Sequence, residues 1–139
     1  MALKPVKGKS FKKSRSFKDI GVSFAKNANT KDVASVINDN AIKQAIRNLI
    51  MTTPGEKLFQ PALGSRITEL LFEPLDSFTS DAVQSEIINT IQNHEPRVQL
   101  RNVSVLPNFS QNSFECRVSY KIIGLPTVET IEFVLKRPE

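Results

Sequence analysis

Few side chains in this sequence could carry catalysis. His94 is the single histidine and Cys116 the single cysteine, so a histidine-based metal site or a serine–histidine triad has few parts to draw on. The five glycines are scattered, and none fits the spacing of a phosphate-binding loop. The sequence therefore predicts no catalytic residue, no metal site and no cofactor.

Acidic side chains leave one catalytic alternative open. Glu73, Glu86 and Glu95 could supply a carboxylate pair of the kind that glycosidases use on cell-wall sugars. Such a pair must be held ~5–9 Å apart, and the sequence does not fix that separation. A lysozyme-like cell-wall hydrolase is therefore an alternative that no motif supports.

Two short segments are more specific than a small fold requires. Residues 53–64 read TPGEKLFQPALG and are followed by LFEP at 71–74. The second segment is Glu95-Pro96-Arg97, in which the proline disfavours helix at the preceding glutamate. A carboxylate and a guanidinium on such a stiff corner suit charge-assisted contacts with a partner. The alternative is a local turn with a surface ion pair, worth at most ~1 kcal/mol.

The positive charge of the chain is concentrated at its N-terminus. Residues 1–18 hold seven Lys and Arg and no acidic residue, whereas residues 19–139 hold 12 basic and 14 acidic residues. A segment of this composition buries too little apolar surface to order itself alone. We therefore predict a basic, flexible tail at 1–18 and a single domain at 19–139. The tail could anchor in an acidic groove of a partner, bind nucleic acid or have no specific role.

The sequence offers no membrane signal. No apolar run approaches the length of a membrane span, and the basic N-terminus lacks the apolar stretch of a signal peptide. A lone cysteine is consistent with synthesis in a reducing cytoplasm. We expect no membrane partner.

Three segments have the apolar spacing of helices. The most regular one is predicted to run from an N-cap at Asn38 or Asp39 to about residue 51. A short helix is predicted within 65–72, and a third is predicted from Thr79 or Ser80 to about residue 93. The apolar stripe of the first helix consists of Ile42, Ala45, Ile46, Leu49 and Ile50.

The apolar period then changes from near four to two, which indicates strands. Strands are predicted at 100–106, 114–122 and 131–135, joined by turns, and Cys116 falls on the buried face of the second. A cysteine in that position is usually inert core. A fourth, weaker signal at 19–24 is a candidate short strand.

These elements together predict an α+β fold. Its N-terminal helices would pack on a three-stranded antiparallel β-meander. Residues 33–37 are apolar enough for either an extended stretch or an early helical turn.

The ordered set of motifs resembles a known family. AIKQAIRNLI at 41–50, the TPGE turn, FQP and its following glycine at 59–64, LFEP at 71–74 and Glu-Pro-Arg at 95–97 occur in that order. Together they resemble the baseplate wedge family of contractile-tailed phages, also called gene-25-like or sheath-initiator proteins. A similar protein is found in type VI secretion baseplates. The resemblance covers residues 19–135, nearly the whole predicted domain.

The resemblance implies a structural role in the virion, in the baseplate of the tail. Members join the central helical bundle of the wedge, and Glu95, Pro96 and Arg97 match the motif that contacts this bundle. Their sheet lies where the first ring of tail sheath attaches. Expected partners are therefore other wedge proteins and the sheath protein, with tail tube or hub as candidates for the basic tail. Some members are labelled lysozyme, but the resemblance transfers no catalytic pair.

The outer strands of the meander are the predicted sheath contacts. Each outer strand has one free row of backbone N–H and C=O groups, which can accept a strand from a neighbour. The apolar positions that define these two edge strands are Leu100, Val103, Val105, Ile131, Phe133 and Leu135. A nucleic-acid-binding module is the alternative. The sequence lacks the interleaved aromatics and the basic face on the folded domain that such a module would use. We therefore expect no specific binding of nucleic acid.

Overall fold

A computed structural model describes residues 39–138 and two short strands that precede them, β1 (Lys18–Ile20) and β2 (Ser35–Ile37). These strands pair antiparallel. Residues 19 and 20 of the strand predicted at 19–24 lie in β1, and the rest of that segment lies outside the described residues. In the ambiguous segment at 33–37, the described residues 35–37 are extended. The predicted basic tail lies outside the described residues except for Lys18.

Helix α1 (Asp39–Met51) confirms the first helical prediction. Four residues of its predicted apolar stripe are buried, with Ile42, Ile46 and Ile50 almost completely shielded from solvent. The fifth, Ala45, is half-buried, and Ala41 is buried in addition. Helix α2 (Ile67–Leu70) is a single turn inside the predicted range of 65–72. It buries only Ile67, so its role is to direct the chain from α1 toward the next helix.

Helix α3 (Ser77–His94) begins earlier than the sequence pattern predicts. Its N-cap is Asp76, whose Oδ1 accepts the Thr79 backbone N–H at 2.7 Å. The prediction that Thr79 or Ser80 is the cap was therefore wrong. The physical reason is that a carboxylate one turn upstream satisfies the free N–H groups better, and it also interacts favourably with the helix dipole.

We expect Asp76→Ala to lower the thermal midpoint, whereas Asp76→Asn should stay close to the wild type because asparagine caps equally well. The hydrogen bonds from Thr79 hold the pKa of Asp76 below its ordinary value of 3.8. This contribution to stability is therefore present above pH 3.8 and lost as the pH falls through the lower, folded-state pKa. Thermal melts of the three proteins between neutral and acid pH measure both effects. A melting profile for Asp76→Asn as acid-sensitive as the wild type would contradict the assigned charge effect.

The sheet is the predicted meander. Strands β3 (Val98–Asn108), β4 (Ser113–Ile122) and β5 (Val128–Lys136) pair antiparallel in the order β3-β4-β5. The alternation predicted for β4 is confirmed, because Phe114, Val118 and Tyr120 are fully buried. Helices and sheet enclose one core between them, so the α+β class is confirmed.

Strand β3 contains a β-bulge that the sequence analysis did not predict. Its pairing with β4 shifts between Leu100 and Asn102, leaving Arg101 as an extra residue. A strict alternation in phase with Val103 would point Leu100 away from the core. The bulge reverses this, and Leu100 pairs with Tyr120 and packs against the core.

Cys116 is buried in the core on the face of β4 that carries Tyr120. Burial raises the pKa of its thiol to about 12, so the thiolate is not formed near neutral pH. The prediction of an inert core cysteine is confirmed. No helix within the described residues has the length and apolarity to cross a membrane.

Candidate partner-binding site

The Glu-Pro-Arg motif forms the junction between the last helix and the sheet. Glu95 is the C-cap of α3, and its N–H donates to the Ile91 carbonyl at 2.9 Å. Pro96 then prevents the helix from continuing. The carbonyl of Arg97 accepts the Ile123 N–H at 2.9 Å, which fastens the start of β3 to the end of β4. The motif is therefore an anchored corner.

The two charged side chains of this corner bind each other in a two-pronged ion pair. Arg97 donates from Nε to Glu95 Oε1 at 2.6 Å and from one terminal nitrogen to Oε2 at 2.7 Å. The Arg97 backbone N–H adds a longer bond to Oε1 at 3.3 Å. Parallel bonds of this kind are stronger and more directional than a single contact.

The carboxylate of this pair faces inward. The Glu95 side chain is 7% exposed, whereas that of Arg97 is 29% exposed. The sequence predicted that both charged groups are available to a partner. The structure corrects this for Glu95, whose buried carboxylate binds the Arg97 guanidinium from the protein side. The alternative of a weak surface ion pair does not fit either, because screening by water is limited at a carboxylate so deeply buried.

The predicted edge strands are the outer strands of the sheet, but their apolar side chains face the core. Val103, Val105, Phe133 and Leu135 are buried, and Leu100 and Ile131 pack against the core in partly buried positions. None of these side chains is free to form a docking surface. Any strand added to the sheet would have to pair with backbone groups.

The two edges differ in how readily they could accept a strand. β3 contains the bulge at Arg101 and a proline at Pro107, which has no N–H to donate. It also packs closely along α3. β5 is a regular nine-residue strand in continuous register with β4 from Val128 to Lys136. Among the described elements no helix runs comparably close along it. β5 is therefore the more open edge.

Two of the three carboxylates considered for hydrolysis are hydrogen-bonded to other groups of the fold. Glu86 Oε1 accepts the backbone N–H of Arg66 at 2.9 Å, and both oxygens of Glu95 engage Arg97. In residues 39–138 no hydrogen bond joins any two of Glu73, Glu86 and Glu95. His94 ends α3, and no metal-binding group of side chains occurs among the described residues.

The loop between α1 and α2 is a closed, ordered structure that the motif alone did not reveal. Its neck is held by the Ser65 N–H, which donates to the Thr52 carbonyl at 2.8 Å, and by the Ser65 hydroxyl, which donates to the Ile50 carbonyl. Gly64 has φ +132°, and a Cβ there would overlap the Thr52 carbonyl. The close approach of these backbones explains the glycine.

Comparison with known proteins gives a consistent result. Residues 38–127 match the family described as baseplate wedge protein gp25. The chain is 28% identical over 106 residues to baseplate wedge protein gp25 of Enterobacteria phage T4, covering 76% of this chain and 80% of that protein.

Two solved structures share the fold. A baseplate component of the anti-feeding prophage superposes with a TM-score of 0.63 at 19% identity, covering 89% of this chain and 88% of that one. A Geobacter sulfurreducens protein named as a candidate tail lysozyme gives a TM-score of 0.69 at 21% identity, covering 76% and 98%.

Proposed function

Because the chain belongs to the gp25 family of baseplate wedge proteins, we propose that it joins the core of the wedge and starts the first ring of tail sheath. The family match over 38–127 carries this proposal, since it spans helices α1 to α3, the corner and strands β3 and β4. The test is deletion of the gene from its particle, followed by electron microscopy. We expect tails without sheath, restored by the full chain in trans, and normal sheathed tails would contradict the proposal.

The wedge contact is assigned to the corner Glu95-Pro96-Arg97. The anchored backbone fixes its position, and the inward carboxylate fixes the guanidinium without a large entropy cost on binding. Arg97 keeps part of its surface toward solvent. A partner carboxylate or backbone carbonyl could therefore approach the guanidinium from the solvent side. Other baseplate proteins of the wedge are the proposed partners.

The sheath contact is assigned to the β5 edge. A strand from a sheath subunit would pair with the outward backbone groups of Val128–Lys136, extending the sheet to four strands. Exposed side chains on the outer face of this strand, Thr130, Glu132 and Val134, would then lie beside those of the added strand. Main-chain pairing provides the bonding, and these side chains provide discrimination.

We further propose that the chain is not an enzyme. Two of the three candidate carboxylates are held by hydrogen bonds that serve the fold. We expect no release of fragments when the purified full chain is incubated with peptidoglycan. A lysozyme is the positive control. Reproducible cleavage that disappears in both Glu73→Gln and Glu86→Gln would establish hydrolase activity instead.

The basic segment 1–18 is proposed to contact a neighbouring baseplate protein, with tail tube or hub as candidates. Its seven positive charges should also attract DNA, but only nonspecifically. We expect weak binding that does not distinguish sequences and that falls steeply with salt. Fluorescence anisotropy with two unrelated duplexes at several salt concentrations measures this, with the chain lacking 1–17 as control. Salt-resistant, sequence-selective binding would favour the nucleic-acid alternative.

A further inference from the structure

The loop at 53–64 holds an apolar tip away from the domain. Phe59 is 100% exposed and Leu58 is 80% exposed. Two large apolar side chains fully in water are unfavourable for an isolated chain. They do not fold back onto the core, although the partly buried Leu70 and Leu71 follow soon after in sequence. The exposure of Leu58 and Phe59 is therefore set by the conformation of the loop.

The backbone of the loop is fixed in this arrangement by its own hydrogen bonds. Gly55 donates its N–H to the Pro61 carbonyl at 2.9 Å across the loop, and Gln60 donates to Lys57 at 3.3 Å. At the base, the Glu56 side chain accepts the Thr53 N–H at 3.1 Å. Together with the closed neck, these bonds make a pre-formed projection, so little ordering entropy remains to be lost on binding.

The tip is also in an unfavourable backbone conformation. Phe59 has φ +67°, a left-handed value that is uncommon for a bulky residue other than glycine. The Phe59 side chain is fully exposed, so it makes no packing contact within the described residues that would offset the cost of this backbone conformation. Backbone outliers that a rigid surrounding structure maintains occur preferentially at functional positions. Here the outlier orients one aromatic ring outward.

We propose that Leu58 and Phe59 insert into an apolar pocket of a neighbouring baseplate protein, with an acidic group at the rim of the pocket. This inference rests on the proposed function. Aromatic side chains buried at the centre of an interface are common binding hot spots. Lys57 precedes the tip, and no carboxylate among the described residues pairs with it. Its ammonium supplies the complementary charge for an acidic rim.

A pocket in another protein fits this tip better than a lipid surface or a second copy of this chain. A lipid surface would be bound weakly by two apolar side chains and one nearby cation, since stable membrane anchoring needs more apolar area. A second copy would have to offer a matching pocket. One cavity on the sheet of this chain is lined by Leu106, Arg117 and Glu132 among others. The Arg117–Glu132 ion pair at 2.7 Å makes its wall charged, which does not suit a phenyl ring.

Thiol labelling gives a direct test, because the single native cysteine is buried and protonated at neutral pH. The full chain carrying Gln60→Cys, which keeps both apolar side chains of the tip, is incorporated into particles, and its labelling by a maleimide is compared with that of the same free chain. We expect labelling to be slower in assembled particles by about tenfold or more, as for a residue in a water-excluding interface. Equal labelling rates would overturn the proposal.

Substitutions test whether the contact matters for assembly. Phe59→Ala should reduce incorporation into baseplates by about tenfold, the effect of losing a hot-spot side chain, while leaving the thermal midpoint of the free chain unchanged. Gln60→Ala, an exposed neighbour in the same loop, is the matched control and should assemble normally. Normal assembly of Phe59→Ala would overturn the proposal.

Two further outcomes would assign the tip to another occupant and overturn the proposal. One is self-association of the free chain in sedimentation that Phe59→Ala abolishes. The other is binding to phosphatidylcholine vesicles that depends on Phe59. Failure of the proposed function is distinguishable, because the wild-type chain would then be missing from the purified baseplate.

Discussion

Arg97→Ala should lower the free energy of unfolding of the isolated domain by about 3 kcal/mol, at the lower end of the cost of breaking a buried ion pair. The substitution removes both side-chain bonds to a carboxylate whose side chain is only 7% exposed. The lower end applies because Arg97 itself is 29% exposed, which lets water reach the site. Denaturant unfolding followed by circular dichroism measures the change.

A double-mutant cycle separates the charge from the packing. Glu95→Gln in the Arg97→Ala background replaces the unpaired charge with a neutral amide, so we expect part of the lost stability to return. A surface ion pair, the alternative raised by the sequence, would leave Arg97→Ala nearly as stable as the wild type, and the burial of the Glu95 side chain argues against it. A loss within about 0.5 kcal/mol, as for an ordinary surface substitution, would refute the structural role.

The wedge contact needs a variant that keeps the domain folded. Arg97→Lys retains the positive charge and most of the side-chain length, but it lacks the planar fork. We expect this variant to fold with a modest loss of stability and still be poorly incorporated into wedges. For each variant, incorporation into wedges and thermal stability are both measured. If Arg97 serves only the internal structure of the domain, every variant that folds will assemble normally.

Proline at one position of β5 should reduce sheath growth about tenfold while leaving the domain folded. Successive N–H groups of an edge strand point alternately toward β4 and outward. Of Thr130→Pro and Ile131→Pro, one therefore removes a bond inside the sheet, and the other removes only an outward donor. The variant whose thermal midpoint matches that of the alanine variant at the same position identifies the outward position, because Ile131 also packs against the core. Alanine at the same two positions controls for loss of the side chains.

The outward proline variant should enter baseplates at the wild-type level and give about tenfold fewer sheathed tails, the effect expected from losing one buried hydrogen bond at the added strand. Electron microscopy counts sheathed and unsheathed tails. Proline at Ser104 of the opposite edge, β3, should either disturb the fold or leave sheath growth unaffected. Normal sheath from the outward β5 variant would mean that the sheath is held by side chains instead.

Much of the fold was predictable because it depends on periodic burial. The stripe on α1 and the alternation on β4 each place a full set of apolar residues on one face, and neither pattern has an equally good competitor. The bulge at Arg101 was not predictable, because one inserted residue leaves both halves of β3 alternating normally. The Asp76 cap was missed because neighbouring Thr79 and Ser80 are also good capping residues.

The candidate site was predictable in position but not in geometry. The order of the motifs indicated that the corner at 95–97 is special, and proline indicated that it is stiff. Only the fold shows that Glu95 is buried, since a glutamate at a helix end is ordinarily exposed. Nor does a loop rich in proline and glycine indicate whether its aromatic faces the core or solvent, so the fully exposed Phe59 required the structure.

The bulge in β3 has a consequence for the polarity of assembly. A small sheet with two equivalent flat edges can add strands on both sides, and free copies of it can then associate into ribbons. The extra residue at Arg101 and the missing donor at Pro107 increase local twist and interrupt bonding on one side only. The two edges of the sheet are therefore unequal, and a regular edge on one side alone disfavours ribbons of free copies, because a ribbon needs both edges of every sheet to pair.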